Sequence, residues 1–204
     1  DGTIFAENID DHTEINGLYI RDGINVANSS ENLIVRNNDI SGGVVRAETL
    51  GLFANEAAVY AYNSHAVIDG NNIHDSENGI WAQTNSSLTI VNNKIHDIQR
   101  GTSGYCYGIV DFSSSSSLIQ NNIFWNNTET SNQIITPVGS SSTIIGNTFY
   151  GGGTAVELYS ATTSKALDNI FVNVGTAVSG GNAGNPVYDS GNVKDNEGVT
   201  GINP

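Results

Sequence analysis

The chain has 204 residues, is 38% hydrophobic and carries 7 Lys and Arg against 21 Asp and Glu, a formal charge of −14. That balance repels nucleic-acid phosphates and anionic membrane surfaces, and no apolar run is long enough to span a bilayer. A lone Cys106 excludes an internal disulfide and a cysteine-based zinc cluster.

From Leu33 onward one pattern recurs. An aliphatic pair or triplet (Leu33–Val35, Ala66–Ile68, Leu88–Ile90, Leu118–Ile119, Thr143–Ile145) is followed by an asparagine, and that asparagine by a large apolar residue two positions on. The asparagines are read as Asn38, Asn71, Asn93, Asn121, Asn147 and Asn169, about 22 to 33 residues apart. A repeat of about 22 residues with insertions predicts a solenoid. Each unit then supplies a second period-two run: Ala58–Tyr62, Gly79–Gln83, Gly108–Phe112, Ile134–Thr136 and Ala155–Tyr159. Serine-rich turns such as Ser86–Ser87 and Ser113–Ser117 close the units, so each unit reads as strand, turn, strand, turn.

A unit this short cannot bury its apolar face alone, so equivalent residues must stack from coil to coil, with Val35, Ile68, Ile90, Leu118 and Ile144 in one interior column. The asparagines suit the corners, because Asn tolerates left-handed backbone and can bond to the amides above and below. With these residues on the page, the chain resembles the right-handed parallel β-helix, the pectate-lyase-like superfamily. The resemblance implies an all-β solenoid of about seven coils over residues 1–181. Residues 182–204 are expected to form an irregular tail, with coils of a longer chain beyond either end. The superfamily houses polysaccharide lyases, glycoside hydrolases, uronate epimerases, tailspikes and adhesins, so it implies fold more narrowly than function.

Three insertions, Ser41–Ala57, Ile98–Tyr107 and Trp125–Gln133, fall at one corner and are expected to wall a groove. The outward position after the apolar anchor reads Arg21, Ser41, His74, His96, Phe124, Tyr150, and the next reads Asp22, Gly42, Asp75, Asp97, Trp125, Gly151. His74 and His96 are therefore neighbours, with Asp75 and Asp97 about 4.8 Å apart in strand spacing. Two carboxylates so close predict either a raised pKa on one, giving an acid beside a base or nucleophile, or a cation such as Ca2+ between them. His-Asp after an Ile-ended strand is also ordinary corner grammar.

Glu77, Arg46, Arg100 and Asp111 are expected around the same coils. Tyr60 and Trp81 form one outward aromatic column and Tyr62, Phe112 and Tyr159 another, suited to sugar rings, with Tyr105 and Tyr107 as groove residues. The pattern points to a secreted or cell-surface polysaccharide-degrading enzyme. The excess of acid over base favours a glycoside hydrolase, whose carboxylates would come from Asp75, Asp97 and Asp111. In a lyase or epimerase the base would be Arg100, His96 or Tyr105, and Arg46 or a calcium ion would neutralise the uronate. A non-catalytic carbohydrate-binding solenoid is the remaining class.

Overall fold

The computed structural model of the protein describes residues 2–9, 12–29, 33–43, 56–99, 106–112, 116–127, 132–136, 140–159, 163–181, 183 and 189–195. The chain winds through three parallel sheets of eight strands each, visiting them in turn on every coil. Sheet A holds the longest strands, such as Ala57–Tyr62, Asn78–Gln83 and Tyr107–Phe112. Sheet B holds Leu33–Arg36, His65–Asp69, Ser87–Val91, Leu118–Gln120 and their equivalents. Sheet C is built of short strands, Asp39–Ser41, Asn72–His74, Lys94–His96, Ile123–Trp125, Thr148–Tyr150 and Ile170–Val172 among them.

The sequence reading of two strands per coil therefore becomes three. The third strand is the triplet after each ladder asparagine, with a single inward side chain, too short for a period-two pattern to show. The coils also run further than expected. Asp189–Ser190 and Val193–Asp195 pair with Ala166–Leu167 and Ile170–Val172, continuing sheets B and C into the stretch read as an irregular tail.

Aliphatic and aromatic columns from each sheet fill the interior, among them Val59, Ile80, Ile109, Ile134 and Val156 from A; Val35, Ile68, Ile90, Ile119 and Ile144 from B; Ile40, Ile73, Ile95, Phe124, Phe149 and Phe171 from C. All are fully buried. The Phe124, Phe149 and Phe171 rings stack at 4.6 and 5.1 Å between centroids, with interplanar angles of 12° and 18°. Gly108 faces this stack from sheet A, and a Cβ there would lie 3.1 Å from the Phe124 ring and 2.5 Å from the Gln133 carbonyl oxygen.

At the corner between sheets B and C the ladder runs through Asn38, Asn71, Asn93, Asn122, Asn147, Asn169 and Asn192. From Asn38 to Asn169, each backbone N–H and each Nδ2 donates to the Oδ1 of the next asparagine, at 2.9 to 3.1 Å. Nδ2 also donates back to the carbonyl of the previous coil, as from Asn93 to Ile68 at 2.8 Å and from Asn122 to Ile90 at 2.9 Å. The ladder residue in the fourth of these coils is thus Asn122, not Asn121. Asn121 takes the left-handed turn just before it, in a column with Asn37, Asn92 and Asp168.

The same one-residue correction puts Ile119 rather than Leu118 in the core, Leu118 being 36% exposed, and Phe124 rather than Ile123 inside. A shift of one residue exchanges the two faces of a strand. This register wins because it buries the larger Phe124 ring against Phe149 and aligns the amide ladder. Asp111 also differs from expectation. It points into the coil between Ala82 and Thr136, fully buried, and accepts hydrogen bonds from the hydroxyls of Ser117 (3.1 Å) and Ser142. Its own carbonyl accepts from Ser140. Asp111 is an interior polar anchor of the serine corner, not a groove carboxylate.

Candidate functional site

The outer face of sheet C carries two side-chain columns, because residues two apart on a strand share a face. One runs Tyr19, Asp39, Asn72, Lys94, Ile123, Thr148, Ile170, and the other Ser41, His74, His96, Trp125, Tyr150, Val172. Trp125 takes the outward place read for Phe124, and Asn126 the corner place read for Trp125. That corner column, Gly42, Asp75, Asp97, Asn126, Gly151 and Asn173, is left-handed throughout, with φ from 50° to 71°. Asp75 and Asp97 are therefore corner residues as well as candidates for chemistry, since short polar side chains tolerate this backbone.

His74 and His96 do stand side by side, their rings stacked at 5.2 Å and 10°. His96 in turn stacks on Trp125 at 4.1 Å and 15°. The Nδ1 of His74 meets Asp75 Oδ2 at 2.7 Å, and its Nε2 meets Asp39 Oδ1 at 2.6 Å. One coil on, Nδ1 of His96 meets Asp97 Oδ2 at 2.6 Å and Nε2 meets Asn72 Oδ1 at 2.9 Å. Asn72 Nδ2 donates to Asp39 Oδ1 at 3.1 Å, and Asn126 Nδ2 donates to the other oxygen of Asp97. Gln99 reaches Asp75 at 3.5 Å. A continuous network thus runs Asp75, His74, Asp39, Asn72, His96, Asp97, Asn126 across four coils.

The electrostatics follow from these contacts. Partial burial works against charge on His74, whose side chain is 15% exposed, but hydrogen bonds and charges from Asp75 and Asp39 outweigh it and raise its pKa. Asp97 is lowered below the usual carboxylate range, first by the hydrogen bond from His96 and also by that from Asn126. The expected rise in one of a repelling carboxylate pair does not occur at Asp97, because imidazoles stand where the repulsion was anticipated. The two aspartates bond to rings and amides, and among the described residues no cluster of three His, Cys, Asp or Glu side chains is placed to hold a metal ion.

The chain also matches the family model for a right-handed β-helix region over residues 22–192. The chain belongs to that family. No curated protein matches. Among solved structures, the trypsin-treated and full-length forms of QnrB1, a plasmid-mediated fluoroquinolone resistance protein, are similar at 12% and 14% identity. The alignments cover 96% of this chain in both cases and 92% and 94% of those chains, with TM-scores of 0.26 and 0.23.

In this right-handed β-helix the remaining candidates separate. Tyr60, Tyr62 and Trp81 lie on sheet A, away from the histidines on sheet C, with Tyr60 paired with Trp81 across adjacent coils as the sequence implied. Tyr60 is buried and donates from its hydroxyl to Gln83 at 3.0 Å, while Ala57, Tyr62 and Trp81 pack around it. Tyr60 is thus a packing residue of sheet A, with Tyr62 and Trp81 half-buried beside it. Tyr107 opens a sheet A strand, with its backbone N–H on Asn78 Oδ1 at 3.1 Å. Arg46, Arg100 and Tyr105, with most of the three insertions, lie outside the described residues.

Sequence reasoning missed Asp39, Asn72 and Asn126. Asp39 and Asn72 sit two residues before an outward position, and the alternation of a strand would have found them had the triplet been read as one. It also missed an exposed apolar strip on sheet C beside the network: Ile123, Tyr150 and Ile170, at 45%, 54% and 47% exposure, around the edge of Trp125.

Proposed function

We propose that the outer face of sheet C is a binding surface for an uncharged polysaccharide. The observation that carries this reading is the joining, on one exposed face of rigid strands, of an apolar strip (Ile123, Trp125, Tyr150, Ile170) with a preordered row of acceptors and donors (Asp39, Asn72, Asp75, Lys94, Asp97, Asn126). Sugars need both partners: their C–H faces lie on apolar and aromatic surface while their hydroxyls reach polar side chains. The formal charge of −14 disfavours a polyanionic chain.

A second reading, hydrolysis by Asp75 and Asp97, is favoured by their positions on adjacent coils. A separation near one strand spacing of about 4.8 Å is close to the roughly 5 Å of a retaining carboxylate pair. In that reading Asp97, whose carboxyl is lowered, takes the ionised role, which leaves the acid to Asp75, 59% exposed at its corner. Incubation with neutral and uronate polysaccharides, with binding, reducing ends and unsaturated-product absorbance followed together, separates the readings. Binding without new reducing ends is expected. New reducing ends that Asp97→Asn cuts about 100-fold would establish hydrolysis, and unsaturated products would establish elimination.

A further inference from the structure

We propose that this binding face is proton-gated: the Asp39–His74–Asp75 clamp holds it in binding geometry only while the imidazole of His74 carries both of its protons. The inference rests on the polysaccharide-binding reading above and adds its regulation.

Donor and acceptor bookkeeping carries it. An ionised carboxylate only accepts hydrogen bonds, and both nitrogens of His74 face carboxylate oxygens, at 2.7 Å (Asp75) and 2.6 Å (Asp39). Both must therefore be N–H, so His74 is an imidazolium. Asp39 also takes the Nδ2 of Asn72, which turns the amide oxygen of Asn72 toward Nε2 of His96. The orientation of one amide is thus tied to His74 through the shared Asp39, and to His96, whose two nitrogens likewise face acceptors, Asp97 Oδ2 and Asn72 Oδ1. The groups facing His74 are Asp39 from its own sheet, Asp75 from the following corner and the His96 ring at 5.2 Å, with Ser41 paired on the preceding coil. Asp97 stands behind His96, and Gln99 behind Asp75.

When His74 loses a proton, a lone pair on one nitrogen faces a carboxylate. One of Asp39 and Asp75 must swing away, and with Asp39 the amide of Asn72 loses its fixed orientation. Asp39, 43% exposed on the open face of the sheet, has the freedom to move. A surface that binds hydroxyls through preordered acceptors then loses that order, and affinity falls with it. The raised pKa of His74 agrees with this arrangement, since the same two carboxylates favour its charged form.

The test has two arms on the full chain. In the first, without ligand, NMR follows the side-chain nitrogens of His74 and the Asn72 amide protons against pH. The Asn72 signals should move with the His74 midpoint, and Asp39→Asn should lower that midpoint. Asn72 signals indifferent to His74 would overturn the proposal. In the second, affinity for whichever neutral polysaccharide the panel retains is measured across the same range. It should weaken about fivefold or more through the His74 midpoint, with His74→Gln flattening the curve. Binding that stays constant with pH refutes the gate alone, while absence of binding at every pH refutes the binding reading and the gate together.

Discussion

The corner between sheets B and C and the corner that follows sheet C are built from the same chemistry and put it to opposite uses. At the first, an asparagine recurs on every coil from Asn38 to Asn192, and each amide satisfies the next. At the second, the left-handed positions are occupied by Gly42, Asp75, Asp97, Asn126, Gly151 and Asn173. Repetition suits the interior, because every buried amide needs the same partners on every coil. Variation is tolerated only outside, where water can satisfy what a neighbour does not. The coil-to-coil differences on sheet C are therefore where specificity can be written without loss of fold.

Breaking the repeated side of this comparison should have the largest effect. Phe149→Ala removes the middle ring of the buried stack and should cost about 3 to 5 kcal/mol, read from the denaturation midpoint. Asn122→Ala strands the N–H and Nδ2 of Asn93 and should cost on the order of 3 kcal/mol. Asn121→Ala only forces alanine into left-handed backbone, at about 1 to 2 kcal/mol, and Asn121→Gly should lie close to wild type. Equal losses for the two alanine variants would show that the register is misplaced.

On the variable side the effects should be smaller and depend on pH. The folded-state pKa of His74 is raised, so its contribution to stability is complete below the unfolded value of 6.5 and fades as pH climbs through the raised value. Asp97 is lowered, so its contribution is present above 3.8 and is lost as pH falls through the lowered value. Denaturation of His74→Gln should accordingly differ from wild type most near pH 5 to 6 and least at alkaline pH. A difference constant with pH would contradict the clamp.

Most of the fold was legible because the period of the apolar anchors is long and the asparagines mark each coil. The slip at Asn121 came from a doublet, Asn121-Asn122, flanked by apolar pairs on both sides, Leu118-Ile119 and Ile123-Phe124. Either register looks apolar in one dimension, and only contact with Phe149 decides between them. The pairing of His74 with His96 was legible from the coil register. The inward turn of Asp111 was not, because a charged residue in a strand is read outward unless serines from other coils are known to meet it. Asp39 and Asn72 were hidden in strands too short to show alternation.

The measurement that bears most directly on the sheet C face is affinity electrophoresis of wild type and Tyr150→Ala through gels containing neutral polysaccharides, with unfolding midpoints recorded beside it. Tyr150 is exposed and outside the core, so its variant should keep the wild-type midpoint. Wild type should be retarded by at least one polysaccharide, and Tyr150→Ala should bind it roughly tenfold more weakly. Equal retardation of the two proteins, or none of either, would contradict a polysaccharide-binding face on sheet C.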